Sequence, residues 1–195
     1  MNITSRPALL FVLAAGMLVA ALSAGLLVGR PGAEANTATR VPEDVRARFD
    51  YLSQNGNSNC SRQFTESIRT MPVMALLQGS CCSPMNLHRY SEQLEGLRAY
   101  RDIDLIPPDP YNFEAGLAAE LLSYYELELS PSEQATYDYA MANSVEGGPC
   151  CCQCWRWAVY GGLAKHLIRD RQFTGDQIAR IWDLSDGCGG DSHVH

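Results

Sequence analysis

Two runs of adjacent cysteines constrain the fold more than any other feature of this sequence. The runs are Cys81-Cys82 and Cys150-Cys151-Cys152. Together they contain five of the eight cysteines of the 195-residue chain. Adjacent cysteines rarely form a disulfide with each other, because the small ring is strained relative to preferred disulfide geometry. The fold must therefore bring each run to distant cysteines, place it around a metal ion, or keep its thiols reduced.

Helix signals dominate the chain after its first 35 residues, and no alternating strand pattern of convincing length appears. Ser130-Pro131-Ser132-Glu133 has the form of a capping box with proline at the first helical position. Ser61 and Thr174 are further predicted caps, and Ser83-Pro84 is predicted to open another helix. Residues 73–77 form a short apolar segment. The sequence predicts an all-α fold, with one compact domain of six to seven short helices over residues 36–195.

The N-terminal segment, residues 1–35, is predicted to precede this domain as a transmembrane or signal helix. Residues 8–28 carry no charged side chain, and a helix of this length reaches about 32 Å, enough to cross the apolar core of a bilayer. Ala33-Glu34-Ala35 is similar to the small-x-small pattern that signal peptidase recognises. The length of the run favours an uncleaved anchor. Either alternative predicts that residues 36–195 are membrane-anchored or secreted and lie outside the cytoplasm.

The charge of the chain argues against nucleic acid as a partner. It has 22 acidic and 15 basic residues, for a net charge of -7, whereas nucleic-acid binding requires a basic face that neutralises phosphates. Contact with a membrane is expected through the N-terminal helix. The sequence indicates a metal ion as a ligand, and it does not identify a protein partner.

The cysteine runs have the chemistry of a soft-metal site. Each is predicted to lie at or just before a helix start, where free backbone N–H groups and the helix dipole stabilise a thiolate. On the helix predicted after Pro84, Met85 and His88 share a face. Sulfur and imidazole ligands suit Zn(II) or Cu(I), and thioether sulfur favours Cu(I). The predicted metal ligands are Cys81, Cys82, Cys150, Cys152, Cys154, Cys188, His88 and Met85.

Cys188 joins this set because the glycines around it let it approach another group closely. Cys151 is predicted to be redundant. His193 and His195 form a possible weak metal site in the C-terminal tail, although a frayed polar tail is the commoner structure there.

Two other uses of the cysteines remain open. An even cysteine count outside the cytoplasm normally indicates disulfides, and four bridges with Cys60 and Cys188 pairing into the runs would use all eight thiols. The chain would then be a disulfide-stabilised surface domain that mediates a protein interaction. A reversible dithiol would instead make it a thiol–disulfide oxidoreductase. Signatures of common hydrolases, phosphate-binding loops and haem attachment are missing, so we expect metal capture or delivery rather than catalysis.

Residues 149–154 resemble the P-C-Y-C-G-C signature of a bacterial family of secreted or lipid-anchored proteins. Pro149, Cys150, Cys152 and Cys154 match, whereas Cys151 replaces the tyrosine and Gln153 the glycine. The lipid-attachment cysteine of that family has no counterpart at the end of the N-terminal apolar run. The resemblance implies a cell-surface protein with a cysteine cluster.

Overall fold

The computed structural model describes residues 41–190, and this part of the protein is mostly helical. Loops and one 3-10 turn, Arg98–Tyr100, connect seven α-helices and a sheet of two short strands. In chain order the elements are α1 (Glu43–Asn55), α2 (Arg62–Ile68), β1 (Leu76–Gln78), α3 (Leu87–Leu97), β2 (Asn112–Glu114), α4 (Ala115–Tyr124), α5 (Pro131–Asn143), α6 (Trp155–Arg171) and α7 (Gly175–Ser185). The prediction of a helical domain with six to seven short helices is confirmed for these residues.

Three predicted helix starts are confirmed by their capping hydrogen bonds. The Ser130 hydroxyl accepts from the backbone N–H of Glu133, whose carboxylate accepts from the Ser130 N–H at 2.7 Å. Thr174 and Gln177 form the same reciprocal pair at the start of α7. Ser61 caps α2 through its hydroxyl. These bonds satisfy N–H groups that have no partner within the helix.

The predicted start of α3 at Ser83-Pro84 is wrong. The Asn86 side chain accepts from the backbone N–H of Arg89 at 2.9 Å, so the helix begins at Leu87. The Ser83 hydroxyl is engaged elsewhere, since it donates to the backbone oxygen of Cys188 at 3.0 Å.

A two-stranded antiparallel sheet is the feature that the sequence pattern does not predict. Leu77 of β1 lies opposite Phe113 of β2, and both side chains are buried. Each strand has only three residues, which is too short for a recognisable alternation of polar and apolar side chains. The sheet fixes the chain just before Cys81 and Cys82, and just before α4.

The centre of the domain is α6, which contacts α4, α5 and α7. Trp155 and Tyr160 of α6 are fully buried. Trp182 of α7 is also buried and donates its indole N–H to the backbone oxygen of Tyr160 at 3.0 Å. Trp155, Tyr160 and Trp182 therefore form part of the core, and the N-terminus of α6 is anchored there.

Within residues 41–190, no helix is both long and apolar enough to cross a membrane. The predicted transmembrane or signal helix falls in residues 1–35, outside the described residues. That helix, the domain boundary at residue 36 and the extracytoplasmic location therefore stay predictions.

Replacing Gly162 with alanine should destabilise the domain, because the α4 backbone leaves no room for a Cβ atom. An added Cβ would lie 2.0 Å from the carbonyl oxygen of Leu121. Gly96→Ala in α3 is the matched control, since its Cβ would meet the rotatable side chain of Leu184 at 2.4 Å. Both substitutions gain about 1 kcal/mol of helix propensity.

We expect Gly162→Ala to lower the free energy of unfolding by about 1–3 kcal/mol, and by clearly more than Gly96→Ala does. Urea denaturation followed by circular dichroism measures both. Equal effects of the two substitutions would contradict the close α4–α6 contact.

Candidate metal centre

All eight cysteine side chains lie in one continuous cluster, in which every sulfur has another within 4.8 Å. Four loops contribute to it: one before α2, one after β1, one before α6 and one after α7. We call these side chains the thiol cluster, and its members are Cys60, Cys81, Cys82, Cys150, Cys151, Cys152, Cys154 and Cys188. The fold therefore brings both cysteine runs together with the two isolated cysteines.

One side of the thiol cluster opens to solvent. The sulfur of Cys60 lies 3.1 Å from that of Cys82 and 3.6 Å from that of Cys152. The third edge of this triangle, between Cys82 and Cys152, is 3.4 Å. Cys60 and Cys82 are exposed and Cys152 is half-buried, so a dissolved ion or a ligand of a second protein can reach these sulfurs.

The other side of the thiol cluster reaches into the core. Cys150, Cys154 and Cys188 are buried, and the sulfurs of Cys150 and Cys188 lie 2.6 Å apart. The Cys81 sulfur lies 4.0 Å from that of Cys154 and 3.9 Å from that of Cys82. Cys81 thus connects the buried sulfurs to the exposed ones.

Four of the thiols form the most complete group of ligands. The sulfurs of this group all lie within 4.8 Å of one another, and they belong to Cys82, Cys151, Cys152 and Cys188. A tetrahedral ion with Zn–S bonds of about 2.3 Å holds its sulfur ligands about 3.8 Å apart. Within this group the Cys82–Cys152 separation is 3.4 Å and no separation exceeds 4.8 Å, so the clustered cysteines could hold a metal ion.

Hydrogen bonds to its own backbone carbonyl oxygen fix the position of Cys188. This oxygen accepts from the hydroxyl of Ser80 at 2.6 Å, the hydroxyl of Ser83 at 3.0 Å and the backbone N–H of Ser83 at 2.9 Å. The N–H of Gly190 donates to the backbone oxygen of Pro84 at 2.7 Å. The loop after α7 is thereby fastened to the loop that carries Cys81 and Cys82.

A buried carboxylate supports the same loop. Asp186 accepts from the backbone N–H of Cys188 at 3.2 Å and from the Arg89 guanidinium at 2.8 Å. Its backbone oxygen accepts from the Gln93 side chain at 2.7 Å. A carboxylate oxygen of Asp186 also lies within 4.8 Å of the sulfurs of Cys150 and Cys188. Because both carboxylate oxygens already accept hydrogen bonds, Asp186 serves mainly to position Cys188.

Arg156, in the first turn of α6, places a fully buried positive charge beside the thiol cluster. Its guanidinium donates to the backbone oxygen of Pro110 and, at 3.0 Å, to that of Gly79. The guanidinium carbon lies 4.5 Å from the ring centroid of Trp155. A buried charge is costly unless nearby groups stabilise it, and here two carbonyls and an aromatic ring do so.

The thiols at the start of α6 have strongly shifted pKa values. Hydrogen bonds from Cys150 and Cys81 lower the pKa of Cys154 to about 2, so this side chain is a thiolate at neutral pH. Hydrogen bonding to Cys154 raises the pKa of Cys81 to about 12, and the charge of Arg156 acts against this rise. The thiolate is the metal-binding form of cysteine, so Cys154 is ready to accept an ion.

A second thiol with a lowered pKa lies on the exposed side. Burial acts against ionisation of Cys82, but hydrogen bonds with Cys60 and Cys152 outweigh it and lower the pKa of Cys82. The pKa of Cys60 is raised by burial and by its hydrogen bond to Cys82. One thiol of this contact pair is therefore the donor and the other the acceptor.

The structure brings six of the eight predicted metal ligands together, namely Cys81, Cys82, Cys150, Cys152, Cys154 and Cys188. The other two predicted ligands, Met85 and His88, lie outside the cluster. His88 is exposed, and its Nε2 lies 3.2 Å from the carboxylate of Glu92. The sulfur of Met85 is buried and accepts from the hydroxyl of Ser53 at 3.7 Å. That any of these residues binds a metal stays a prediction.

Three members of the site are not identified by the sequence. The sequence predicts Cys60 only as a disulfide partner and Cys151 as redundant, yet both lie in the thiol cluster. No local pattern marks Cys60, which is 21 residues away from Cys81. A signal does exist for Arg156, since an arginine two residues after Cys154 interrupts an otherwise apolar stretch. The predicted weak site at His193 and His195 lies outside the described residues.

The site is interpreted from its geometry, because no family model, curated protein or solved structure matches the chain. The resemblance of residues 149–154 to the P-C-Y-C-G-C signature therefore stays a prediction. The described residues define a cysteine-rich helical domain whose eight thiols meet in one cluster.

Replacing Gly189 with alanine should release the Cys188 loop. Gly189 has φ +83°, and an added Cβ would lie 2.1 Å from the carbonyl oxygen of Ser83. Gly147→Ala is the matched control, because Gly147 has φ +65° and no atom within 4 Å of an added Cβ. It shares the backbone strain of a left-handed residue without the contact.

We expect iodoacetamide to alkylate Cys188 of the folded Gly189→Ala variant about tenfold faster than in the wild type, since overpacking by about 1.4 kcal/mol favours local opening by that factor. Peptide mass spectrometry measures the rate. The same acceleration in Gly147→Ala would contradict the role of the Ser83 contact.

Replacing Arg156 with methionine should destabilise the fold and reduce ionisation of Cys81. The carbonyls of Pro110 and Gly79 would lose their donor, and a buried unsatisfied polar group costs about 1–3 kcal/mol. Arg156→Lys retains the charge and serves as the control. We expect alkylation of Cys81 to require higher pH in the methionine variant alone, as measured by mass spectrometry across a pH series. Identical pH profiles of the two variants would show that the charge has no role.

Proposed function

We propose that the chain binds Cu(I) or Zn(II) through the thiol cluster and captures or delivers the ion outside the cytoplasm, without catalysing a reaction. The observation that carries this proposal is the four-thiol group of Cys82, Cys151, Cys152 and Cys188, whose sulfurs all lie within 4.8 Å of one another. Four side chains from three loops converge there, and each supplies one ligand atom.

The chemistry of the donors supports a soft ion. The ligand atoms of the four-thiol group are all sulfur. Soft thiolate ligands favour Cu(I) and Zn(II), whereas carboxylate and carbonyl oxygens favour Ca²⁺ and Mg²⁺. The pKa of Cys154, lowered to about 2, supplies a thiolate before an ion arrives, and the lowered pKa of Cys82 favours ionisation there as well. Arg156 then offsets part of the negative charge that several thiolates around one ion create.

The exposed sulfurs support exchange of the ion. Cys60 and Cys82 are exposed, so a donor or acceptor molecule can bind the ion while the buried thiols still hold it. The proposed location follows from the uncharged run at residues 8–28, which would anchor or export the domain.

One observation favours a second candidate, a domain stabilised by disulfides that binds a protein partner. The sulfurs of Cys150 and Cys188 lie 2.6 Å apart, whereas those of Cys60 and Cys82 lie 3.1 Å apart. The Cys150–Cys188 separation is the nearer of the two to the disulfide bond length of about 2.05 Å. A disulfide at this pair would remove Cys188 from the four-thiol group. A full set of disulfides would leave no free thiol and no bound metal.

Replacement of Cys150, Cys152 and Cys154 by serine should abolish stable metal binding, because the four-thiol group keeps only three of its thiols and neither Cys150 nor Cys154 is left to replace the lost one. The double variant Met85→Leu/His88→Gln is the control, since both residues lie outside the cluster. Metal per chain is measured by elemental analysis after anaerobic purification and dialysis.

We expect the triple variant to retain less than about a tenth of the wild-type metal, a loss that corresponds to about 1.4 kcal/mol or more of binding free energy. The control should retain all of it. Full metal content in the triple variant would refute the proposal. Circular dichroism of all samples verifies that the helices remain folded.

A further inference from the structure

The thiol cluster contains more ligands than one ion can use. A tetrahedral ion binds four sulfurs, and the group of Cys82, Cys151, Cys152 and Cys188 already supplies four. Four thiols remain. They are close enough to one another to form disulfides if nothing else engages them, and thiols outside the cytoplasm are readily oxidised.

Three of the remaining thiols form a second compact set. The sulfurs of Cys81 and Cys154 lie 4.0 Å apart. The Cys60 sulfur lies within 4.8 Å of each of them. All three edges of this triangle are thus compatible with sulfurs bound to one ion, and no member of the triangle belongs to the four-thiol group. The two sets can be filled without sharing a ligand.

The eighth thiol lies between the two sets. The Cys150 sulfur is 2.6 Å from that of Cys188, a member of the four-thiol group. Cys150 also lies in the same loop before α6 as Cys154, a member of the triangle. A thiolate in this position can complete the triangle to four ligands or bridge two ions. The sets also adjoin at the surface, where Cys60 lies 3.1 Å from Cys82.

We infer that the thiol cluster holds two metal ions side by side, one on Cys82, Cys151, Cys152 and Cys188, and the other on Cys60, Cys81 and Cys154 with Cys150 as a fourth or bridging ligand. This inference rests on the proposed function and extends it. Each set includes an exposed thiol, Cys82 or Cys60. Each ion is therefore accessible from solvent, and two ions engage all eight thiols.

The number of ions bound by the 195-residue chain tests the inference. The chain is purified anaerobically in detergent and saturated with Zn(II), and a second sample with Cu(I). Native mass spectrometry counts the ions, and alkylation under native conditions counts the thiols left free. We expect at least two ions of one of these metals per chain and no freely alkylated cysteine in that loaded sample.

A maximum of one ion per chain with either metal, with about four thiols alkylated, would overturn the two-ion inference and leave the proposed function in place. No bound ion of either metal would overturn both. These counts use the wild-type chain, so they do not depend on whether any variant folds.

Two matched double variants test the assignment of ligands to sets. Cys82→Ser/Cys151→Ser removes two ligands of the four-thiol group, and Cys60→Ser/Cys81→Ser removes two ligands of the triangle. We expect each variant to bind one ion fewer than the wild type. Complete loss of metal from either folded variant would show a single shared site and overturn the inference.

Discussion

The carbonyl oxygen of Cys188 is the point on which the thiol cluster depends. It accepts hydrogen bonds from Ser80 and Ser83, and the bond from Ser80 spans 108 residues of sequence. The loop after α7 and the loop after β1 meet through these bonds, and the N-terminus of α6 lies beside them. Because such a contact exists only in the folded domain, an ion held by the cluster would bind the native state and stabilise it.

Electrostatics limits how many of these thiols can ionise together. Several thiolates within a few ångströms of one another repel, and burial increases the energetic cost of each charge. Two devices oppose this cost in the structure. Hydrogen bonds between thiols lower the pKa values of Cys82 and Cys154, and the buried guanidinium of Arg156 adds one positive charge. One arginine cannot balance eight thiolates, so ionisation of all eight would require further positive charge, which the proposed metal ions would supply.

The sequence correctly predicts those features of the fold that interactions between neighbouring residues determine. The capping box at Ser130 and the cap at Thr174 follow from neighbouring residues, and both are present in the structure. The α3 start differs because Ser83 donates to the distant Cys188 instead of capping a helix. Cys60 joins the cluster only through contacts with residues far along the chain, which no local pattern encodes. Spacing identifies the cysteine runs, whereas tertiary folding decides which thiols meet.

The state of the cysteines in the anaerobically purified wild-type chain tests the central claim most directly. Intact mass after alkylation under denaturing, non-reducing conditions reports free thiols, and elemental analysis of the same sample reports metal. The account predicts that most of the eight cysteines are alkylated after denaturation and that the native sample contains zinc or copper. A mass lower by two hydrogens for every pair of cysteines, with no metal, would contradict it and show that the thiol cluster is a set of disulfides.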